Sequence, residues 1–253
     1  NYIVVDGTGT IQQNDPTYAT ELNLRSGSFD VNGFDLSASS IHSAPGTNFL
    51  SGPVTLTVAN FYIEGTISNT NATDVVCQIF PPAHSINGML LFRCSGTFRD
   101  ITVMNDGLTF LLADVNCRVL TAYGDMSYSG YASIDTIQKV VAFGNLTFQF
   151  AYVDTLFLNN PGKTVNMAYS VTIGSELIAN GTPAFPVLIQ GGNSMNLIKS
   201  SGQVCLSDVI LSNVPASGGA QFYAGQGCVD LGGNTGWQFT SCTVVSDVWP
   251  GDA

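Results

Sequence analysis

Short runs of Val, Ile, Leu, Phe and Thr, each closed by Gly, Asn, Pro or Ser, return along this chain roughly every 20–25 residues, the spacing of a stacked repeat. The clearest runs are 54–68, 97–104, 139–150, 154–160, 170–180, 185–190 and 203–214. Each alternates apolar and polar residues, the signature of a strand buried on one face. No single run can bury that face alone. Stacked coil on coil, the runs share one continuous core. The expectation is therefore an all-β chain folded as a right-handed parallel β-helix, a solenoid. A β-sandwich is the alternative, because Asn32-Gly33, Asn87-Gly88 and Asn180-Gly181 also read as hairpin turns. No stretch offers a capped amphipathic helix; residues 113–126 come nearest, and they are rich in residues that disfavour one.

Composition supports β-structure. Charged residues make up 10% of the chain, against about 25% in ordinary globular domains. Ser, Thr, Asn, Gln and Gly take their place, and these suit strands and turns better than helix surfaces. The apolar fraction of 45% is ample for a core. Net charge is −11, and the seven basic residues (Arg25, Arg93, Arg99, Arg118, Lys139, Lys163, Lys199) are scattered. Nothing there neutralises a phosphate backbone, so nucleic acid is excluded as a partner. Anionic membranes are disfavoured on the same ground, and no apolar run is long enough for membrane insertion.

The segmentation predicts a single β-helix domain over 1–240 and a C-terminal linker, 241–253, leading into a missing module. The loop 81–88 is the clearest excursion. The glycine-rich run 213–237 reads as a cap over an open solenoid end, with Trp237 covering it and Trp249 anchoring the linker. Six cysteines (77, 94, 117, 205, 228, 242) lack any Cys-x-x-Cys pair, which argues against zinc. They read as buried free thiols or, in an exported chain, as one or two disulfides. Cys77 with Cys94 and Cys205 with Cys228 are the candidate pairs, each about one solenoid turn apart.

Residues 21–43, with Leu-x-Leu, Ser-Gly-x-Phe, Asn-Gly and Leu-x-Ala-Ser-Ser steps, resemble a coil of the very large secreted β-helix proteins of Bacteroidota. Residues 199–240 are similar to a late coil of the same kind. Residues 247–253 resemble a junction to a dockerin-like module. Together these segments cover a little over a quarter of the chain. The resemblance implies export, by the type IX route, and an adhesin-like or fibrous role at the cell surface. It names no ligand.

Chemistry is sparse. Glycoside hydrolysis needs two carboxylates facing one bond. The available pairs, Asp30 with Asp35 and Asp100 with Asp106, sit in turns or at strand ends; Asp125, Asp135 and Asp154 are separated by apolar runs. Arg118 or Lys139 could serve a lyase. No Gly-x-Ser-x-Gly is present, and neither His42 nor His84 has a recognisable setting. Thr-rich pieces at 55–57 and 66–73 lack the regular recurrence of an ice-binding array. No catalytic residue, metal site or cofactor is expected. Asp252 could open a calcium loop, but its other ligands are not in the chain. The best binding candidates are Tyr123, Tyr128 and Tyr131, with Asp125, because tyrosine joins an apolar face to a polar end. The expected function is a non-catalytic structural or adhesive segment of a secreted cell-surface protein or extracellular fibre. Its expected partners are surface polysaccharide or further copies of itself. The alternative is a carbohydrate-binding or polysaccharide-degrading module.

Overall fold

The structure, a computed structural model, describes residues 2–64, 66–68, 73–77, 90–93, 96–104, 109–112, 115–129, 136–149, 151–158, 161–179 and 181–242. Its regular elements are all β-strands, from Tyr2–Val5 to Trp237–Gln238. They pair in parallel with strands one coil away and build a solenoid of about ten turns. Leu22 lies beside Ile41, and Ile41 beside Phe61, so one coil takes 19 or 20 residues here. This is the parallel β-helix and not the sandwich.

Each coil has three faces. Face 1 holds 17–19, 36–38, 55–58, 74–77, 100–103, 119–122, 139–142, 155–158 and 176–179. Face 2 holds 21–24, 40–43, 60–62, 91–93, 109–112, 126–129, 146–148, 164–167 and 188–191. Face 3 runs through 10–12, 28–30, 48–50 and 66–68, and later through 96–98, 115–117, 136–137 and 151–153.

Alternation in the sequence becomes inside and outside in the coil, because successive strand residues point to opposite faces. One interior ladder passes through eight coils of face 1: Leu36, Leu56, Val75, Ile101, Leu120, Val140, Leu156 and Leu177. All eight are buried. On face 3, Phe29 and Phe49 stack at 5.9 Å, and Phe49 meets Phe61 edge-on at 6.3 Å. Burying such a side chain contributes about 1.5–3 kcal/mol, and the ladder repeats that gain at every rung.

The tight corner changes place partway along. In the first coils, faces 1 and 2 share one bent strand, as in Thr17–Leu24, Leu36–Ser43 and Thr55–Ile63. From Gly96 onward, faces 3 and 1 share it, as in Gly96–Val103, Val115–Ala122 and Ala151–Leu158. The change falls in a longer coil, in which Asp74 pairs with Asp100. The predicted loop 81–88 lies outside the described residues.

Two expectations are corrected. Asn32-Gly33 has positive φ at both residues, 49° and 79°, as a hairpin turn requires. It turns a corner instead, between Ser28–Asp30 and Leu36–Ser43, strands that pair with other coils. Cys205 is bonded to Cys242, with Cα atoms 5.7 Å apart, and not to Cys228. The reason is coil length. One coil on from Cys205 the register places Tyr223, while Cys228 falls past the corner with its Sγ 3.5 Å from the Leu206 carbonyl. Cys77 has Val58 and Val103 beside it in register, and Cys94 lies outside the described residues.

The glycine-rich run packs coil on coil at close range. A Cβ on Gly191 would collide with the Asn213 carbonyl oxygen. Asn213 adopts φ 55° and donates from Nδ2 to the carbonyls of Gly191 and Gly192. Trp237 is buried against Phe222, and its Nε1 donates to the Val214 carbonyl at 2.8 Å. Trp249 lies outside the described residues.

Candidate functional site: the outer surface of face 1

The outward residues of face 1 form straight rows, because parallel register places them one above another about 4.8 Å apart. The central row reads Tyr18, Ser37, Thr57, Val76, Thr102, Thr121, Val141, Phe157 and Ile178. No member carries a charge, through nine coils of a chain with net charge −11. From Thr102 to Ile178 each is part-exposed and sits between two buried neighbours.

Larger groups flank the middle of this row. On one side are Met104, Tyr123 and Phe143, each following the last residue of a face 1 strand. Met104 and Tyr123 are exposed, and the Tyr123 and Phe143 rings stack at 5.1 Å with planes 2° apart. Rings stacked along the axis turn their edges, and the tyrosine hydroxyl, to solvent. On the other side are Arg99, Arg118 and Lys139. Arg99 is paired with Asp74 and Arg118 with Asp100, each one coil back. These hydrogen-bonded carboxylates raise both guanidinium pKa values above the ordinary one. The Lys139 ammonium lies over the Phe157 ring, 5.9 Å from its centre.

Polar side chains elsewhere also brace one coil to the next. Asn145 donates to both Asp125 carboxylate oxygens, and its Oδ1 accepts from the Thr164 amide. Ser175 Oγ donates to Asp154 at 2.7 Å. There the register slips, so that Gly174 and Ser175 together oppose Asp154 as a β-bulge. Lys199 is buried, with Nζ donating to the carbonyls of Gly174 and Ser175 at 3.1 and 2.5 Å. Sequence reasoning passed over Lys199, since no local motif marks a lysine whose partners lie a full coil away.

Two described members of the predicted tyrosine cluster, Tyr123 and Tyr128, are on opposite sides of the wall. Tyr123 is exposed beside the uncharged row. Tyr128 is 1% exposed and points inward, in register with Leu111 and Phe148. Tyr131 lies outside the described residues. Asp125 is a corner brace, with its carboxylate engaged by Asn145 and not turned toward Tyr123. The described carboxylates of the available acidic pairs each have another partner. Asp35 accepts from the Thr55 amide, Asp30 from the Asn32 amide, and Asp100 pairs with Arg118. Asp106 and Asp135 lie outside the described residues. Among the described residues, no three His, Cys, Asp or Glu side chains group to hold a metal ion. The His42 ring packs at a tilt against Tyr62, with centres 5.2 Å apart, on the outside of face 2; His84 is outside the described residues.

The two described free thiols differ in reach. Burial pushes the Cys117 pKa up to about 12. Burial also raises Cys228, though it is only half-buried. A raised thiol pKa leaves little thiolate at pH 8, and the thiolate is the reactive form. Iodoacetamide at that pH should leave Cys117 unlabelled in the folded protein and label it fully in denaturant. Cys228 should label slowly. Peptide mass mapping with equal, rapid labelling of both in the fold would refute this burial pattern.

No protein family, no curated protein and no solved structure matches this chain.

Proposed function

We propose that this chain is a non-catalytic structural and adhesive segment of a secreted cell-surface protein or extracellular fibre. The observation that carries the reading is the use made of polar side chains. Across the solenoid they link each coil to the next, as in Asp125–Asn145, Asp154–Ser175, Asn196–Ser217 and Gln203–Gln221. Catalysis needs such groups to converge on one bond; here they are spread along the axis as braces. The Cys205–Cys242 disulfide fits an oxidising, extracytoplasmic setting. The scarcity of charge fits a rod whose surface is made of strand faces. Export by the type IX route, as in large Bacteroidota surface proteins, is part of this proposal. It rests on the end segments 21–43 and 199–240.

A second reading, a carbohydrate-binding module, is favoured by one feature only, the uncharged row with its aromatic border. The non-catalytic reading is tested by incubating the purified chain with an array of polysaccharides. The expected outcome is that no new reducing or unsaturated ends form on any polymer. Cleavage of one would overturn the non-catalytic reading and make Asp154, Ser175 and Lys199 the first residues to replace.

A further inference from the structure

The row Thr102, Thr121, Val141, Phe157 and Ile178 forms an uncharged, part-exposed strip on the outside of face 1, with the Lys139 ammonium over its Phe157 ring. Four coil-to-coil steps of about 4.8 Å make it about 19 Å long, and outward rows lie about 7 Å apart along a strand. That footprint, about 130–250 Å², is far below the roughly 800 Å² each partner contributes to a stable protein interface. The strip fits one extended chain, not a globular partner or a second copy of the solenoid.

Three observations choose the chemistry of that chain. Charge is the first. The strip has none, and the bordering Arg99 and Arg118 are already paired with Asp74 and Asp100, while Lys139 lies over Phe157. With −11 on the whole protein, a polyanion finds repulsion and no available cation row. Backbone satisfaction is the second. The amides and carbonyls of face 1 are consumed by the ladder. A peptide lying across the side chains would leave its own amides and carbonyls unpaired over this strip, which is costly. A pyranose with equatorial hydroxyls presents C–H groups above and below its ring and keeps its hydroxyls at the edge. Those edges would meet water, the hydroxyls of Thr102, Thr121 and Thr155, and the Tyr123 phenol. Periodicity is the third, since the coil spacing is close to the length of one sugar ring along an extended chain.

We infer that the outer strip of face 1 binds a neutral, extended polysaccharide with equatorial hydroxyls, laid along the solenoid axis. This deepens the adhesive part of the function proposed above and rests on it. Val141 lies at its centre, between the Thr121 and Phe157 rungs. Tyr123 and Phe143 border it on one side, Arg118 and Lys139 on the other.

Affinity electrophoresis through gels containing a neutral β-glucan, with polygalacturonate gels in parallel, tests the inference on the full chain. The neutral polymer should retard the protein and polygalacturonate should not. Soluble β-glucan oligosaccharides should compete more strongly with length up to about five rings, the number of rungs in the strip. Val141→Asp, an outward substitution that leaves the core intact, should weaken retardation at least tenfold. Thr147→Asp, outward on face 2, should leave it unchanged, and Phe157→Ala provides a second strip variant without added charge. Circular dichroism and thermal melting confirm that each variant is folded. No retardation by neutral glucan, equal retardation by polygalacturonate, or full retention by both strip variants would each overturn the inference. Those outcomes leave the structural reading standing. Cleavage of a glucan that still depends on Val141 would instead overturn the non-catalytic reading and keep the strip.

Discussion

Replacing Phe49 by alanine should cost about 3–5 kcal/mol, the range for truncating a buried phenylalanine. Phe49 is fully buried, stacks on Phe29 one coil back, and meets Phe61 edge-on. Three coils therefore lose contact at once, and aromatic pairing adds to the loss of apolar area. The form of the loss is set by the architecture. In a solenoid each coil touches only its neighbours, so stability is nearly a sum of coil and interface contributions. The Phe49→Ala protein should lose amide protection first in the coils around residues 29–61, while Val140 and Leu156 keep theirs. Hydrogen exchange read by peptide would show this. Uniform loss from end to end would mean that the solenoid unfolds as one unit and that the coil-by-coil picture is wrong.

Breaking the Cys205–Cys242 bond should have an effect of similar size at the other end. The bond closes a loop of 37 residues, for which the chain-entropy account gives about 4 kcal/mol. It fastens the strand of Gln203–Leu206 to the chain just past Trp237–Gln238, and so holds the last coils together. Cys205→Ser, or mild reduction of the native protein, should lower the melting temperature. It should also open the region around Phe222 and Trp237 to proteolysis before the rest. Urea titration with and without reductant measures the difference. An unchanged midpoint would show that Asn213 and Trp237 hold the end without the covalent bond. Because Cys228 is free and half-buried, reshuffling must be blocked by alkylation during that experiment.

The fold was legible because its rule is local. Alternation in runs such as 139–142 and 155–158 states which residues face inward, and the Gly and Asn between runs mark the corners. Asn32-Gly33 was ambiguous for a physical reason: the same positive φ values serve a hairpin and a solenoid corner, and only the pairing partner separates them. The surface strip was not legible, because its members are neighbours only through register. Thr121 to Val141 takes 20 residues, Val141 to Phe157 takes 16, and Phe157 to Ile178 takes 21. Uneven coils hide a straight row. Tyr123 and Tyr128 part for the converse reason. Residues 123–131 are close in sequence, yet Tyr123 stands on an outer corner while Tyr128 lies inside the next strand.

The relocation of the tight corner between the first coils and those after Gly96 sets a rule for shortening or lengthening this rod. A coil removed from within either part, such as one running from Leu36 to Thr55 or from Val119 to Gln138, rejoins like with like. A splice across the two parts joins a chain that bends between faces 1 and 2 to one that bends between faces 3 and 1. Every inward side chain beyond the join would then arrive at the wrong corner. The two parts are therefore separate currencies of length: coils can be exchanged within each, but a coil from one has no equivalent place in the other.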